Sequence, residues 1–300
     1  MKNILPVLAL DGYKLGHKFQ YPEGTTLVYS NFTPRSSRID GIDKVVFFGL
    51  QYFVEEYLRR QFNENFFDRS RGEVVDKFKR TVDRYLGDAG DVSHIGDLHD
   101  LGYLPLHIDA VPEGSRCNIK TPMLTVWNTE PEFFWLTNSI ETLMSNILWM
   151  PCTSATIAFD YLKRFHLYAD LTGASKEAIP FQAHDFSMRG MSSIEAATAS
   201  AAAHLLSFLG TDTVPALDFL EDYYGATDPI GLSVPASEHS VQCLNAINDT
   251  GEVDDRLYLR RMLDQYPTGI ASIVCDGFDF WKFVTEVLPE FKDEIMARGS

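Results

Sequence analysis

Residues 178–214, "AIPFQAHDFSMRGMSSIEAATASAAAHLLSFLGTDTV", decide the fold class. A short apolar run (178–184) leads into a turn holding His184, Asp185, Phe186 and Arg189, and an Ala-rich stretch of helical character (192–208) follows. Strand, turn and helix in that order form the unit of a parallel α/β fold, because parallel strands need a long crossover and a helix supplies it. The alternation continues toward the C terminus. Helix 213–224, strand 230–234, helices 237–248 and 253–265, strand 270–275 and helix 277–288 are predicted, with a further helix upstream at 153–171.

The preceding half reads differently. A strand is predicted over 25–32 after the turn-forming "YPEG", a helix over 44–62, a second helix over 72–86, and strands over 103–111 and 123–128. Thr129, Pro131 and Glu132 have the order of a helix start, so a long helix is predicted from Thr129. The expected organisation is therefore a mixed α+β domain over 1–150 and an α/β domain over 151–300.

Composition narrows the function classes. In 300 residues, 45% are hydrophobic and 13% aromatic, which excludes a disordered chain. The formal charge of −16 argues against a nucleic-acid backbone as partner, since such proteins carry a clustered basic face. A few arginines in a cleft still suffice for a compact phosphate. The four cysteines lack zinc-site spacing and read as buried free thiols. No secretory signal and no membrane span are expected, so the sequence is read as cytoplasmic, with no membrane partner.

In a parallel α/β fold, ligands collect at the C-terminal ends of the strands. Three predicted strands end in "HDFSMRG", "SVPASEH" and "CDGFD". In the first, backbone N–H groups and the Arg189 guanidinium are suited to a phosphate, and Phe186 to stacking on a planar ring. An N-capped helix with Arg189 paired to a carboxylate is the plainer alternative. Asp212, in "GTDTVPA", has two readings: an N-cap after a helix closed by Gly210, or a carboxylate accepting from a ligand amide. His239 falls in the first turn of a helix, a place for a neutral nucleophile or base, and a core or surface histidine is the alternative. Walker, dinucleotide-binding, nucleophile-elbow and zinc-protease signatures are all lacking, and no spacing claims a metal site.

Six stretches resemble one family when taken together: "LDGYKLGHKFQYPEGT", "VYSNFTPRSSR", "HDFSMRGMSS", "AAAHLLSFLGTDTV", "YYGATDPIGLSVPASEHS" and "SIVCDGFDFW", in order over nearly the whole chain. They are similar to the nicotinamide phosphoribosyltransferases, which are related to the nicotinate phosphoribosyltransferases. The resemblance implies a type II phosphoribosyltransferase α/β barrel, incomplete here, behind a mixed α+β N-terminal domain that contributes to a homodimer interface. It implies that nicotinamide and 5-phosphoribosyl 1-pyrophosphate become nicotinamide mononucleotide and pyrophosphate, in NAD salvage, with Mg2+ and with ATP as a stimulant.

Residue by residue, the resemblance implies that Phe186 stacks on the nicotinamide ring and that Tyr13, supplied by the other subunit, covers its second face. Asp212 would accept from the carboxamide, and Arg189 and Arg35 would contact phosphate. Asp11 would sit beside Tyr13 at the subunit boundary. Ser233 and Val234 would line the amide's tunnel. His239 would be phosphorylated by ATP, with Asp276 and Asp279 nearby. Family members continue past "MARGS" into an Arg-Pro-Asp-Ser-Gly segment and glycine-rich phosphate loops. The expectation is thus a ring-recognition half that needs a complementary C-terminal polypeptide, the alternatives being a non-catalytic nicotinamide- or phosphate-binding fragment or a nicotinate phosphoribosyltransferase.

Overall fold

The computed structural model describes residues 4–298. Contacts divide the chain into two compact units, Met1–Leu232 and Ser233–Ser300. The 150/151 division expected from the sequence falls inside one long helix.

In the first unit, β1 (Tyr29–Phe32), β3 (Leu106–Ala110) and β5 (Leu124–Asn128) form an antiparallel sheet in the order β1-β5-β3. Its register sets Trp127 opposite both Tyr29 and His107, and the three rings stack across the strands at 5.5 and 4.3 Å. β5 alternates, burying Leu124, Val126 and Asn128. Buried Asn128 is fully used: its amide donates to the carbonyls of Thr26 and Glu130, and its oxygen accepts from Val28 N–H.

The helix predicted over 44–62 is corrected at its start. Lys44–Val46 is a strand, β2, paired antiparallel with β4 (Arg116–Asn118). The helix α1 (residues 50–67) begins only after Gly49, whose φ of 105° breaks the run, and continues largely with π-type turns. α2 (Arg71–Leu86) follows with Ser70 as a side-chain N-cap, and α3 (Ser93–Leu101) packs beside it.

The two helices predicted on either side of residue 150 are one, α4 (Phe134–Thr172), preceded by a 3-10 turn over Pro131–Phe133. Pro151 sits inside it without ending it, although proline removes a helical donor. Burial explains the continuity: Leu143, Met144, Leu148, Cys152, Ala155 and Ala158 carry a buried stripe past the proline. Gly49 leaves room for the ring, since a Cβ there would lie 3.0 Å from Pro151 Cγ. The four cysteines are unpaired; Cys152 is buried, which pushes its thiol up to about 12, whereas Cys117, Cys243 and Cys275 are only half-buried.

β6 (His184–Asp185) and β7 (Gly210–Thr211) pair in parallel, His184 opposite Gly210 and Asp185 opposite Thr211, and Leu232 bridges Gly210 in parallel on the far side. Parallel α/β architecture is therefore present, with shorter strands than the sequence predicts. Ile179–Phe181 is a 3-10 turn, and the segments at 230–234 and 270–275 each contribute a single bridge. Pro180, Pro229 and Pro235 lack the N–H that a longer ladder needs. Gly210 does not close a helix; a Cβ there would meet His184 Nδ1 at 2.6 Å, so only glycine lets β7 approach β6 so closely. The crossover helix α6 (Ile194–His204), N-capped by Ser193, buries Ala197, Ala201, Ala202 and Ala203, and α7 (Pro215–Tyr224) follows β7.

The second unit holds α8 (His239–Asn245), α9 (Asp255–Gln265) and helical turns from Phe280 to Ala297. Tyr258, Leu259, Phe283 and Val287 form its core. A parallel bridge between Ala236 and Ser272 sets the segment entering α8 beside the one entering "CDGFD".

Candidate active site

In the first unit the site is built around a residue to which sequence patterning assigns no role of its own. Asp185, 8% exposed at the end of β6, accepts from Ser187 N–H, from the Ser187 and Thr213 hydroxyls, and from Thr211 Oγ1 at 3.2 Å. The Asp212 N–H donates to the Asp185 carbonyl at 2.9 Å. Side chain and backbone together tie the turn after β6 to the turn after β7. A signal for this exists in the sequence: in extended "TDT", alternation turns Thr211 and Thr213 to one face and Asp212 to the other.

Asp212 is not a helix cap. α7 starts at Pro215 behind Val214, with no side-chain cap, and the Asp212 carboxylate instead meets His184 Nε2 at 2.9 Å. The His184 ring lies 5.1 Å from that of Phe186, which is 58% exposed. His184, Phe186 and Asp212 thus present an imidazole, an open aromatic face and a carboxylate at the ends of neighbouring parallel strands. Arg189, on the short helix α5 (Ser187–Gly190), is exposed and makes no ion pair among the described residues, so the carboxylate-paired alternative does not hold.

Beneath this surface His204 stacks on Phe208 at 5.1 Å, and its buried Nε2 has no hydrogen-bond partner among the described residues. Burial holds its pKa below the usual imidazole value, the nearby Asp185 charge opposing that shift.

The N-terminal candidates lie elsewhere on the unit. Asp11 precedes, and Tyr13 lies within, a 3-10 segment, Gly12–Phe19, held to α4 by buried Lys14, whose ammonium reaches the Asn138 carbonyl and side chain and Glu141 at 2.8 to 3.0 Å. Asp11 accepts from the Thr142 hydroxyl. Tyr13 is 66% exposed and leans on His17; among the described residues no ring contact joins it to Phe186. Arg35 is exposed in the loop after β1.

In the second unit, Ser233 and Val234 are exposed, and His239 opens α8 with Nε2 3.1 Å from Asp276 Oδ1. In the neutral ring, donation from Nε2 to that carboxylate leaves Nδ1 with the lone pair. Asp279 does not join this pair; it caps the next helical turn by accepting from Lys282 N–H at 3.0 Å.

Residues 3–108 match the N-terminal domain of nicotinamide phosphoribosyltransferase, and residues 181–300 match the nicotinate phosphoribosyltransferase family. A solved structure of human nicotinic acid phosphoribosyltransferase superposes with a TM-score of 0.56 at 17% identity, covering 87% of this chain and 49% of that one. The fold is that of the type II phosphoribosyltransferases. Nicotinamide phosphoribosyltransferases from Acinetobacter baylyi and Xanthomonas campestris pv. campestris are 51% and 32% identical, each over 98% of this chain. Within that fold, the chain is similar to the nicotinamide phosphoribosyltransferases, whose N-terminal domain its residues 3–108 match. It spans 59% and 60% of the lengths of those two relatives.

Proposed function

We propose that this chain carries the ring-recognition part of a nicotinamide phosphoribosyltransferase. The observation that carries the reading is the grouping of Phe186, His184 and Asp212 at the ends of β6 and β7. An exposed phenyl face accepts a pyridine ring, and Asp212 accepts from a carboxamide N–H while repelling the carboxylate of nicotinate. His184, bound to the same carboxylate, fixes its orientation.

In the proposed reaction the pyridine nitrogen attacks C1 of 5-phosphoribosyl 1-pyrophosphate as the C1–O bond breaks and pyrophosphate leaves. The product is nicotinamide mononucleotide. Ring positioning carries this step, and no covalent attack by the protein is required. Arg189 and Arg35, both exposed, are suited to the phosphate groups. Among the described residues no cluster of three or more His, Cys, Asp or Glu forms a cation cage. The proposed reaction takes Mg2+, which is commonly held by one or two carboxylates, substrate phosphates and water. When bound, the ion neutralises the departing charge. His239, with Asp276 on Nε2, presents Nδ1 as the acceptor for a phosphoryl group from ATP.

Exposed Tyr13 supports delivery of that ring to a partner subunit's site in a homodimer. We further propose that synthesis takes a complementary C-terminal segment. The test is mass-spectrometric assay of nicotinamide mononucleotide from the 300-residue chain, alone and with the C-terminal segment of the Acinetobacter relative. Synthesis only in the mixture is expected, and robust synthesis by the chain alone overturns the requirement. In the competent mixture, Asp212→Ser should erode the preference for nicotinamide over nicotinate by about tenfold. An unchanged ratio removes Asp212 from ring selection.

A further inference from the structure

The His239–Asp276 pair poses a physical problem within its own unit. Both side chains are about two-thirds exposed, 66% and 62%, and exposed pairs have little power to hold their own geometry. What aligns them must lie behind.

Gln242, one helical turn after His239 on α8, is completely buried. Its amide nitrogen donates to Asp255 Oδ1 at 3.0 Å, and its oxygen accepts from Gly277 N–H at 2.8 Å. Asp255, the first residue of α9, is itself buried. Gly277 follows Asp276, and a Cβ there would stand 2.6 Å from Gln242 Oε1, so the turn can come this close only as glycine. On the other side of the pair, Ser237 Oγ accepts from Val274 N–H at 2.9 Å and meets the Tyr258 hydroxyl at 2.6 Å. The histidine and aspartate are thus flanked by two cross-ties, and the Gln242 tie is anchored on a third element.

We propose that Gln242 is a positioning residue: its buried amide spans Asp255 and Gly277 so that Asp276 is presented to the His239 ring. This rests on the reading of His239 as a phosphoryl acceptor. The amide is suited to the task because it donates to a buried carboxylate and accepts from a backbone N–H at once, which neither Glu nor Met does at neutral pH.

The test uses the 300-residue chain, the variants Gln242→Met, Gln242→Glu and Asp276→Asn, the combination of Gln242→Met with Asp276→Asn, and the swap Gln242→Glu with Asp255→Asn. Hydrogen exchange at the Gly277 amide should accelerate about tenfold or more in the two single Gln242 variants, with the Val274 amide unchanged. The swap should restore protection, because the carboxylate introduced at position 242 accepts from both the side-chain amide introduced at position 255 and Gly277 N–H. Potassium phosphoramidate then probes His239: its phosphoryl group passes to the ring nitrogen, the P–N bond breaks and ammonia leaves. Labelling in Gln242→Met should fall to the Asp276→Asn rate, with the combined variant no slower than either, and the swap should recover it.

Wild-type Gly277 exchange in Gln242→Met overturns the proposal. So does wild-type labelling there while Asp276→Asn is slow, or a combined loss that is the product of the two. If Gln242→Met fails to fold, the contrast between Gln242→Glu and the swap decides. If Asp276→Asn labels as fast as wild type, the reading of the pair fails instead, and exchange in the single variants and the swap alone judges Gln242.

Discussion

Two strand-end sites, one in each unit, carry the same chemical pair on different supports. His184–Asp212 is half-buried, its side chains 29% and 39% exposed, and a buried carboxylate, Asp185, organises the turns around it. His239–Asp276 is open to solvent, and a neutral buried amide, Gln242, stands behind it. A charged hub collects several hydroxyl and N–H donors and tolerates burial only because they satisfy it. An amide links one donor to one acceptor. The first arrangement fixes the pose of its side chains, and the second leaves its histidine accessible to solvent.

Acid should separate the units most sharply. His94, buried in the first unit against Trp135 and Phe78, has its pKa lowered to about 4, chiefly by burial, with the Lys18 charge adding and Asp91 opposing. The folded state therefore resists a proton that the unfolded chain accepts near pH 6.5. This contribution is full above that pH and is lost as pH falls toward about 4, by up to about 3 kcal/mol. His204, also held below its usual value by burial, acts in the same direction. Urea unfolding followed through Trp135 should weaken over this window, and His94→Gln should flatten the dependence; an unchanged slope would refute the assignment.

Removing the charged hub comes next. Asp185→Ala should cost the first unit about 2 kcal/mol, read as a lower urea midpoint, because it leaves Thr211 and Thr213 hydroxyls without their acceptor. A loss under about 0.5 kcal/mol would mean that the hub is decorative. Phe186→Ala should leave stability nearly unchanged and weaken nicotinamide binding about fivefold, measured by calorimetry in the competent mixture. Equal affinity would move the ring elsewhere. The smallest effect is expected in the second unit, where Asp276→Asn should change stability by less than about 0.5 kcal/mol, since the exposed pair contributes little to folding. A larger loss would show that the two sites are supported alike.

Much of the architecture is legible in the sequence because it is local. The 72–86 helix, the strands around 106–110 and 124–128, the Ser193-capped alanine helix and the Pro215 helix all follow from spacing, caps and β-rich runs. The misplaced elements fail where a distant contact outweighs a local signal. The sequence reads as two helices on either side of residue 150, yet α4 runs through Pro151 because both of its halves bury one continuous stripe. Gly210 reads as a helix stop, yet it is the residue that lets β7 pass close to His184.

The candidate site divides along the same line. Phe186, Arg189, Asp212 and His239 stand in the sequence at the ends of recognisable strand and helix patterns, and six ordered motifs carry the family resemblance. Asp185 as a hub and Gln242 as a cross-tie do not stand out, because each acts on partners far along the chain: Thr213 from Asp185, Gly277 from Gln242. Local pattern and motif order are enough for the class, the alternation of elements and the types of side chain at the strand ends. Which carboxylate stays exposed and which is buried as support emerges on folding alone, since it depends on the donors that the folded chain brings within hydrogen-bonding distance.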